Sequence, residues 1–156
     1  MAFFKSFALA TAVATTPLAA LTAAPGDGAK NETLPMIEVV ELLEKGGYGP
    51  FTELSMDDGA WEVEVYKGDV PYELRVDPKS GEVLSEHRDD SETRPPQDAK
   101  PLSAILKTLA KAGLDDVDDI SFERRYWELE VHRQDGEHEI HVDPTTGEVV
   151  SDRIDD

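Results

Sequence analysis

The chain has 156 residues, enough for one ordinary domain or for two small ones that would each bury only a thin core. Its 34 Asp and Glu outnumber 15 Lys and Arg, for a formal charge of −19. Such a surface repels phosphate backbones and argues against nucleic acid as a partner, leaving cations, basic protein surfaces or plain solubility as readings of the acidity.

The opening segment, Met1 to Ala24, "MAFFKSFALATAVATTPLAALTAA", carries one Lys near the start, no acid, an apolar middle and a run of small residues. That order is expected of a secretory signal peptide cleaved between Ala19 and Ala24. The rival, an uncleaved anchor, suits the segment less well, because Ala, Thr and Pro17 make a weak spanning helix. Cleavage would leave a periplasmic or secreted protein with no stable membrane insertion. With no cysteine it has neither a disulfide framework nor a thiol for lipid attachment. Residues 25–34 read as a flexible N-terminal segment.

From Pro35 onward the chain repeats. With an offset of 66 and no gaps, 35–90 lies on 101–156, and 20 of the 56 positions are identical, among them Trp61 with Trp127 and "VDPKSGEV" with "VDPTTGEV". Each copy opens on a helical stripe, Met36, Val39, Val40 and Leu43 in one and Leu102, Ile105, Leu106 and Leu109 in the other. First-turn prolines precede both stripes, and Gly46, Gly47 and Gly113 end them. Period-two runs follow: Leu54 and Met56, then Trp61, Val63 and Val65, then Tyr72, Leu74 and Val76. In the second copy they are Ile120 and Phe122, then Trp127, Leu129 and Val131, then His138, Ile140 and Val142. Asp135-Gly136 and Gly68-Asp69 are hairpin signals, and Asp77-Pro78-Lys79-Ser80-Gly81 has the residues of a tight connection before a last strand that begins at Glu82 with Val83. Residues 89–100, "DDSETRPPQDAK", read as an extended linker.

The expected fold is therefore α+β: two tandem repeats, each one helix packed on a small antiparallel β-sheet in α-β-β-β-β order, with domains at 35–88 and 101–156. "WEVEV…YELRVDPKSGEVL" and "WELEV…HEIHVDPTTGEVV" resemble the PepSY domain, present twice. The resemblance implies a noncatalytic extracytoplasmic module of the kind found in propeptides of secreted metallopeptidases and in membrane-bound and sensor-associated proteins. No peptidase domain follows in this sequence, so the implied restraint of a peptidase would act in trans.

Little reads as chemistry. No Gly-x-Ser-x-Gly, His-Glu-x-x-His or phosphate-cradling loop occurs, and there is no thiol nucleophile. If Asp135-Gly136 is a two-residue turn, His132 faces Glu139 and Glu130 faces His141, a set able to hold a divalent metal. The first copy lacks such a set, placing Tyr66 opposite Pro71 or Glu73 and Arg75 near Glu62, so cross-strand charge pairing is the expected reading. His138 takes the inward place of Tyr72 at the rim of the core. Asp115, Asp116, Asp118 and Asp119 lie between the second helix and its first strand, lack the spacing of an EF-hand loop, and read as a solvated turn. Trp61 and Trp127 are in phase with the core. No catalytic, cofactor-binding or metal residue is assigned, and no cofactor is expected. The expected function is binding, with inhibition or modulation of a secreted or periplasmic peptidase. The alternative is an acidic cation-binding or sensor-accessory protein that would serve a membrane sensor.

Overall fold

The computed structural model describes residues 33–154, so the expected signal peptide and most of the segment 25–34 lie outside the described residues. Pro35 and Pro101 stand just before α1 (Met36–Lys45) and α2 (Leu102–Lys111), where a missing N–H leaves no helical bond unmade. The apolar stripe of each helix is buried as its period requires. Both helices end in a Schellman arrangement. Gly47 and Gly113 adopt φ of 85° and 80°, and the next residues, Tyr48 and Leu114, donate back to the carbonyls of Leu43 and Leu109 at 3.1 and 3.0 Å.

Four strands follow each helix: β1 (Phe51–Asp57), β2 (Ala60–Lys67), β3 (Val70–Val76) and β4 (Val83–Arg88), then β5 (Val117–Glu123), β6 (Tyr126–Arg133), β7 (Gly136–Val142) and β8 (Val149–Ile154). The elements come in the expected order, but the expected architecture of two separate small sheets is overturned. All eight strands form one antiparallel sheet in the order β4-β3-β2-β1-β5-β6-β7-β8. At the seam, Glu53 opposes Ser121 and Leu54 opposes Ile120. The physical reason is the edge. A four-stranded sheet opening on β1 would leave a row of unpaired N–H and C=O groups beside a thin core, and pairing β1 with β5 removes two such edges at once.

The inward faces of both halves and both helices then share one hydrophobic cluster, in which Leu54, Val63, Leu74, Ile120, Leu129 and Ile140 are fully buried. The helices also touch directly: Lys107 Nζ lies 2.5 Å from Glu41 Oε1, and Glu44 accepts from the backbone N–H and hydroxyl of Ser103 at 3.2 and 2.6 Å, meeting donors in the first turn of α2.

The Asp-Pro turns are built alike. Asp77 Oδ1 accepts from the N–H groups of Lys79 and Ser80 at 2.9 and 2.8 Å, and Asp143 Oδ1 accepts from Thr145 and Thr146 at the same distances. These backbone donors hold both carboxyls below the usual carboxylate range, those of Ser80 and Thr146 contributing most. Gly81 and Gly147 supply φ of 71° and 74° and donate to the carbonyls of Asp77 and Asp143. The proline carbonyls have a use the sequence did not suggest: Pro78 O accepts from Leu34 N at 2.6 Å and Pro144 O from Lys100 N at 2.9 Å, fastening the approach to each helix onto the far end of its own half.

Residues 89–100 are tethered as well. Asp89 N donates to Pro71 O, and the buried Tyr66 hydroxyl donates to the carbonyls of Ser91 and Thr93 at 3.1 and 3.0 Å. The Arg94 guanidinium lies 4.5 Å over the Tyr66 ring and donates to Asp69 Oδ1 and Gly68 O.

Candidate functional site

With both helices on one face, strand alternation turns the charged positions of the sheet to the other. One cross-strand row runs Glu73, Glu64, Glu53, Ser121, Glu128, His141 over six strands. Beside it run Arg75, Glu62 and Ser55 in the first half and Asp119, Glu130, Glu139 and Arg153 in the second. Eight carboxylates thus share a face whose cations stand toward its flanks. Arg75 Nη1 meets Glu62 Oε1 at 2.6 Å, and Arg153 Nη2 meets Glu139 Oε1 at 2.5 Å.

The centre of the face is the most acid-crowded part. Burial, then the charges of Glu130, Glu128 and Asp118, push the Asp119 carboxyl up to about 6. Glu53 is raised by burial and by Asp119, Glu123 and Glu62, and Glu64 by burial and by Glu53, with Asp89 adding to it. These groups gather where the two halves meet, because Glu53 and Asp119 occupy the same place in their respective copies.

The histidine hairpin departs from its expected register. The loop residues are Gln134 and Asp135, with Arg133 opposite Gly136, so His132 faces Glu137, Glu130 faces Glu139 and Glu128 faces His141. Moving the turn back by one residue shifts each partner by two, and Gly136, at φ 139°, begins the strand instead of making the turn. His132 Nε2 pairs with Asp118 Oδ2 at 2.6 Å, and the expected set of two imidazoles and two carboxylates does not form. His138 is inward and buried. Its Nδ1 lies 2.6 Å from Asp152 Oδ1, its Nε2 lies 3.2 Å from Asp135 Oδ1, and Arg133 completes the cluster at 2.9 Å from Asp152. The His138 bond, aided by Arg133, holds the Asp152 carboxyl below its ordinary range.

Among the described residues, Glu128, Glu139 and His141 do bring three donor atoms within 4.8 Å of one another. His141 Nε2 is 3.2 Å from an oxygen of each carboxylate without being aligned for a hydrogen bond, and its ring stacks on Tyr126 at 6.3 Å. In the first half this place belongs to Arg75, whose guanidinium pairs with Glu62, so His141 stands between two acids where the other copy has a permanent cation. The run Asp115 to Asp119 does not assemble as a turn: Asp118 and Asp119 lie within β5, and Asp119 joins the acidic face. Trp61 and Trp127 are core residues, 5% and 2% exposed, and neither indole N–H has a hydrogen-bond partner.

The two helices thus back one face of the sheet, and the carboxylates gather on the other. The chain belongs to the family described as peptidase propeptide and YPEB domain, the PepSY domain, which matches residues 4–87 and again 89–153. No curated protein matches it. Among solved structures, a candidate lipoprotein of Clostridium difficile 630 is 14% identical at a TM-score of 0.42, covering 80% of this chain and 95% of its own. A DUF2874 family protein of Bacteroides uniformis ATCC 8492 is 12% identical at 0.27, covering 75% and 86%. A candidate periplasmic protein of Bacteroides eggerthii DSM 20697 is 14% identical at 0.28, covering 78% and 88%. Among the described residues no helix is long and apolar enough to cross a membrane.

Proposed function

We propose that this PepSY protein is exported and noncatalytic, and that it modulates a secreted or periplasmic peptidase in trans by seating a basic surface of that enzyme on its acidic sheet face. Export is supported by the leader-like order of the segment from Met1 to Ala24. The observation that carries the binding role is the face itself. Eight carboxylates converge on the face of the sheet that carries no helix, and Glu53, Glu64 and Asp119 near the seam are raised by burial and by neighbouring acids. A Lys- or Arg-rich partner relieves that repulsion and is steered toward it over long range.

Inhibition assays against secreted metallopeptidases test this reading. Micromolar protein is expected to slow at least one of them, less so in high salt, and the variant carrying Glu53→Gln, Glu64→Gln, Asp119→Asn and Glu130→Gln is expected to lose the effect. If no peptidase is bound or slowed at that concentration, the reading fails.

A second reading, a cation-binding accessory role, is favoured by one observation, the convergence of Glu128, Glu139 and His141. Calorimetric titration with Zn²⁺ distinguishes it: heat and thermal stabilisation that His141→Ala removes would support it, and their absence would dismiss it.

A further inference from the structure

Two clefts occupy equivalent places in the repeat. Each lies between the C-terminal end of one helix and the N-terminal end of the other, and each is lined by a buried tryptophan with an unpaired indole N–H. The first, of about 480 Å³, has Tyr48, Pro50, Phe51, Pro96, Leu102 and Trp127 among its walls. In the second, Met36, Ile37, Met56 and Trp61 take the corresponding apolar role.

Their polar rims are opposite. Asp115, Asp116 and Asp118 edge the second cleft, and among the described residues its lining has no cationic side chain. Arg94 and Lys100 edge the first, whose one carboxylate, that of Glu44, already accepts from Ser103 through both oxygens. Arg94 donates to Asp69 and Gly68 O, and Lys100 donates to Thr146 O at 2.5 Å. A guanidinium has five N–H groups and an ammonium three, so each keeps further donors. A chain of charge −19 has thus set two cations around an aromatic, proline-lined cavity of ligand size.

We propose that the Trp127 cleft binds a carboxylate carried on a compact apolar body, with the body against Tyr48, Pro50, Phe51 and Trp127 and the anionic head toward Arg94 and Lys100. A free aromatic or branched acid and the hydrophobic C-terminal residue of a polypeptide present the same chemistry. The site is separate from the acidic sheet face and stands whether or not a peptidase docks there.

The test uses the chain with one tryptophan at a time. In Trp61→Phe protein, titration with 3-phenylpropanoate is expected to change Trp127 emission saturably. Its amide should bind about fivefold more weakly, as should the acid to Arg94→Gln or Lys100→Gln protein, in line with the loss of one charge-assisted contact near a surface. In Trp127→Phe protein, Trp61 in its acid-edged cleft should show no saturable change. Indole N–H signals in ¹H–¹⁵N spectra of the unsubstituted chain give the same readout should either variant fold poorly. A peptide with a free C-terminal Phe that binds more tightly than 3-phenylpropanoate assigns the cleft to polypeptide termini, and weaker binding assigns it to free acids. Absence of any saturable response at Trp127, equal binding of acid and amide, or an equal response at Trp61 overturns the proposal.

Discussion

The two halves of the sheet are one design with two surface chemistries, and the contrast separates what the fold needs from what it can vary. Inward positions in the middle of each half are kept or exchanged for neighbours in size: Trp61 and Trp127, Val63 and Leu129, Leu74 and Ile140. The Asp-Pro turns are repeated bond for bond. Outward and rim positions diverge. Tyr66 under its linker becomes the exposed His132, the half-buried Tyr72 becomes the carboxylate-bound His138, and the Arg75–Glu62 pair becomes His141 between two acids. Core volume and turn hydrogen bonds are therefore the inherited requirement, while the polar surface is free to specialise.

The largest expected effect breaks the claim that the halves share one core. Ile120→Ala removes a fully buried side chain opposite Leu54 at the seam and should cost about 2–5 kcal/mol. Denaturation followed separately through Trp61 and Trp127 in single-tryptophan backgrounds should give coincident midpoints that fall together. Separate midpoints would mean two independently stable halves.

Next come the turns. Asp77→Ala and Asp143→Ala each remove an acceptor of two backbone N–H groups, and both should lower the melting temperature by a few degrees, to a similar extent. Because both carboxyls are held below their unfolded value, this stabilisation is fully present above pH ~4 and is lost as pH falls through the lowered range, so variant and parent should converge in acid. Unequal losses at neutral pH would show that the two turns are not equivalent.

Asp119→Asn runs the other way. A carboxyl raised from 3.8 to about 6 opposes folding once ionised, fully above pH ~6, and the penalty fades as pH falls toward 3.8. The variant should be more stable at pH 8 by ~0.5–1 kcal/mol, the shift being discounted for a half-exposed site. It should match the parent near pH 4, and thermal melts at the two pH values check this. The smallest effect tests the exchanged pair: His141→Arg restores the first half's arrangement and should stabilise by about 0.2–1 kcal/mol in chemical denaturation.

Much of the fold was legible because it repeats. The 3.6 and 2.0 periods located both helices and the principal strands, and the Gly and Asp-Pro signals located their ends. The seam was not legible: β1 pairs with β5 through backbone groups, and Leu54 and Ile120 look the same in a small sheet as in a large one. The histidine hairpin was misplaced because Asp135-Gly136 is a strong local signal. The repeat itself puts Gln134-Asp135 on Gly68-Asp69, and that alignment holds the observed register. The acidic face could be read strand by strand from the alternation, but its crowding at Glu53 and Asp119 follows only from the seam. Arg94 over Tyr66 carries no sequence signal, since it joins a polar linker to a strand well upstream of it.

At the seam, Leu54 faces Ile120, its own counterpart in the second copy, and Glu53 faces Ser121, the counterpart of Ser55. A contact in which each element meets its own copy is isologous, the signature of a two-fold dimer. This chain carries that dimer interface inside itself. A single repeat would have to find a second molecule to close the same edge, at a population set by concentration, whereas residues 89–100 hold the second copy at high effective concentration. The acidic face, spread across both copies, is thereby present whenever one molecule is folded and at any dilution.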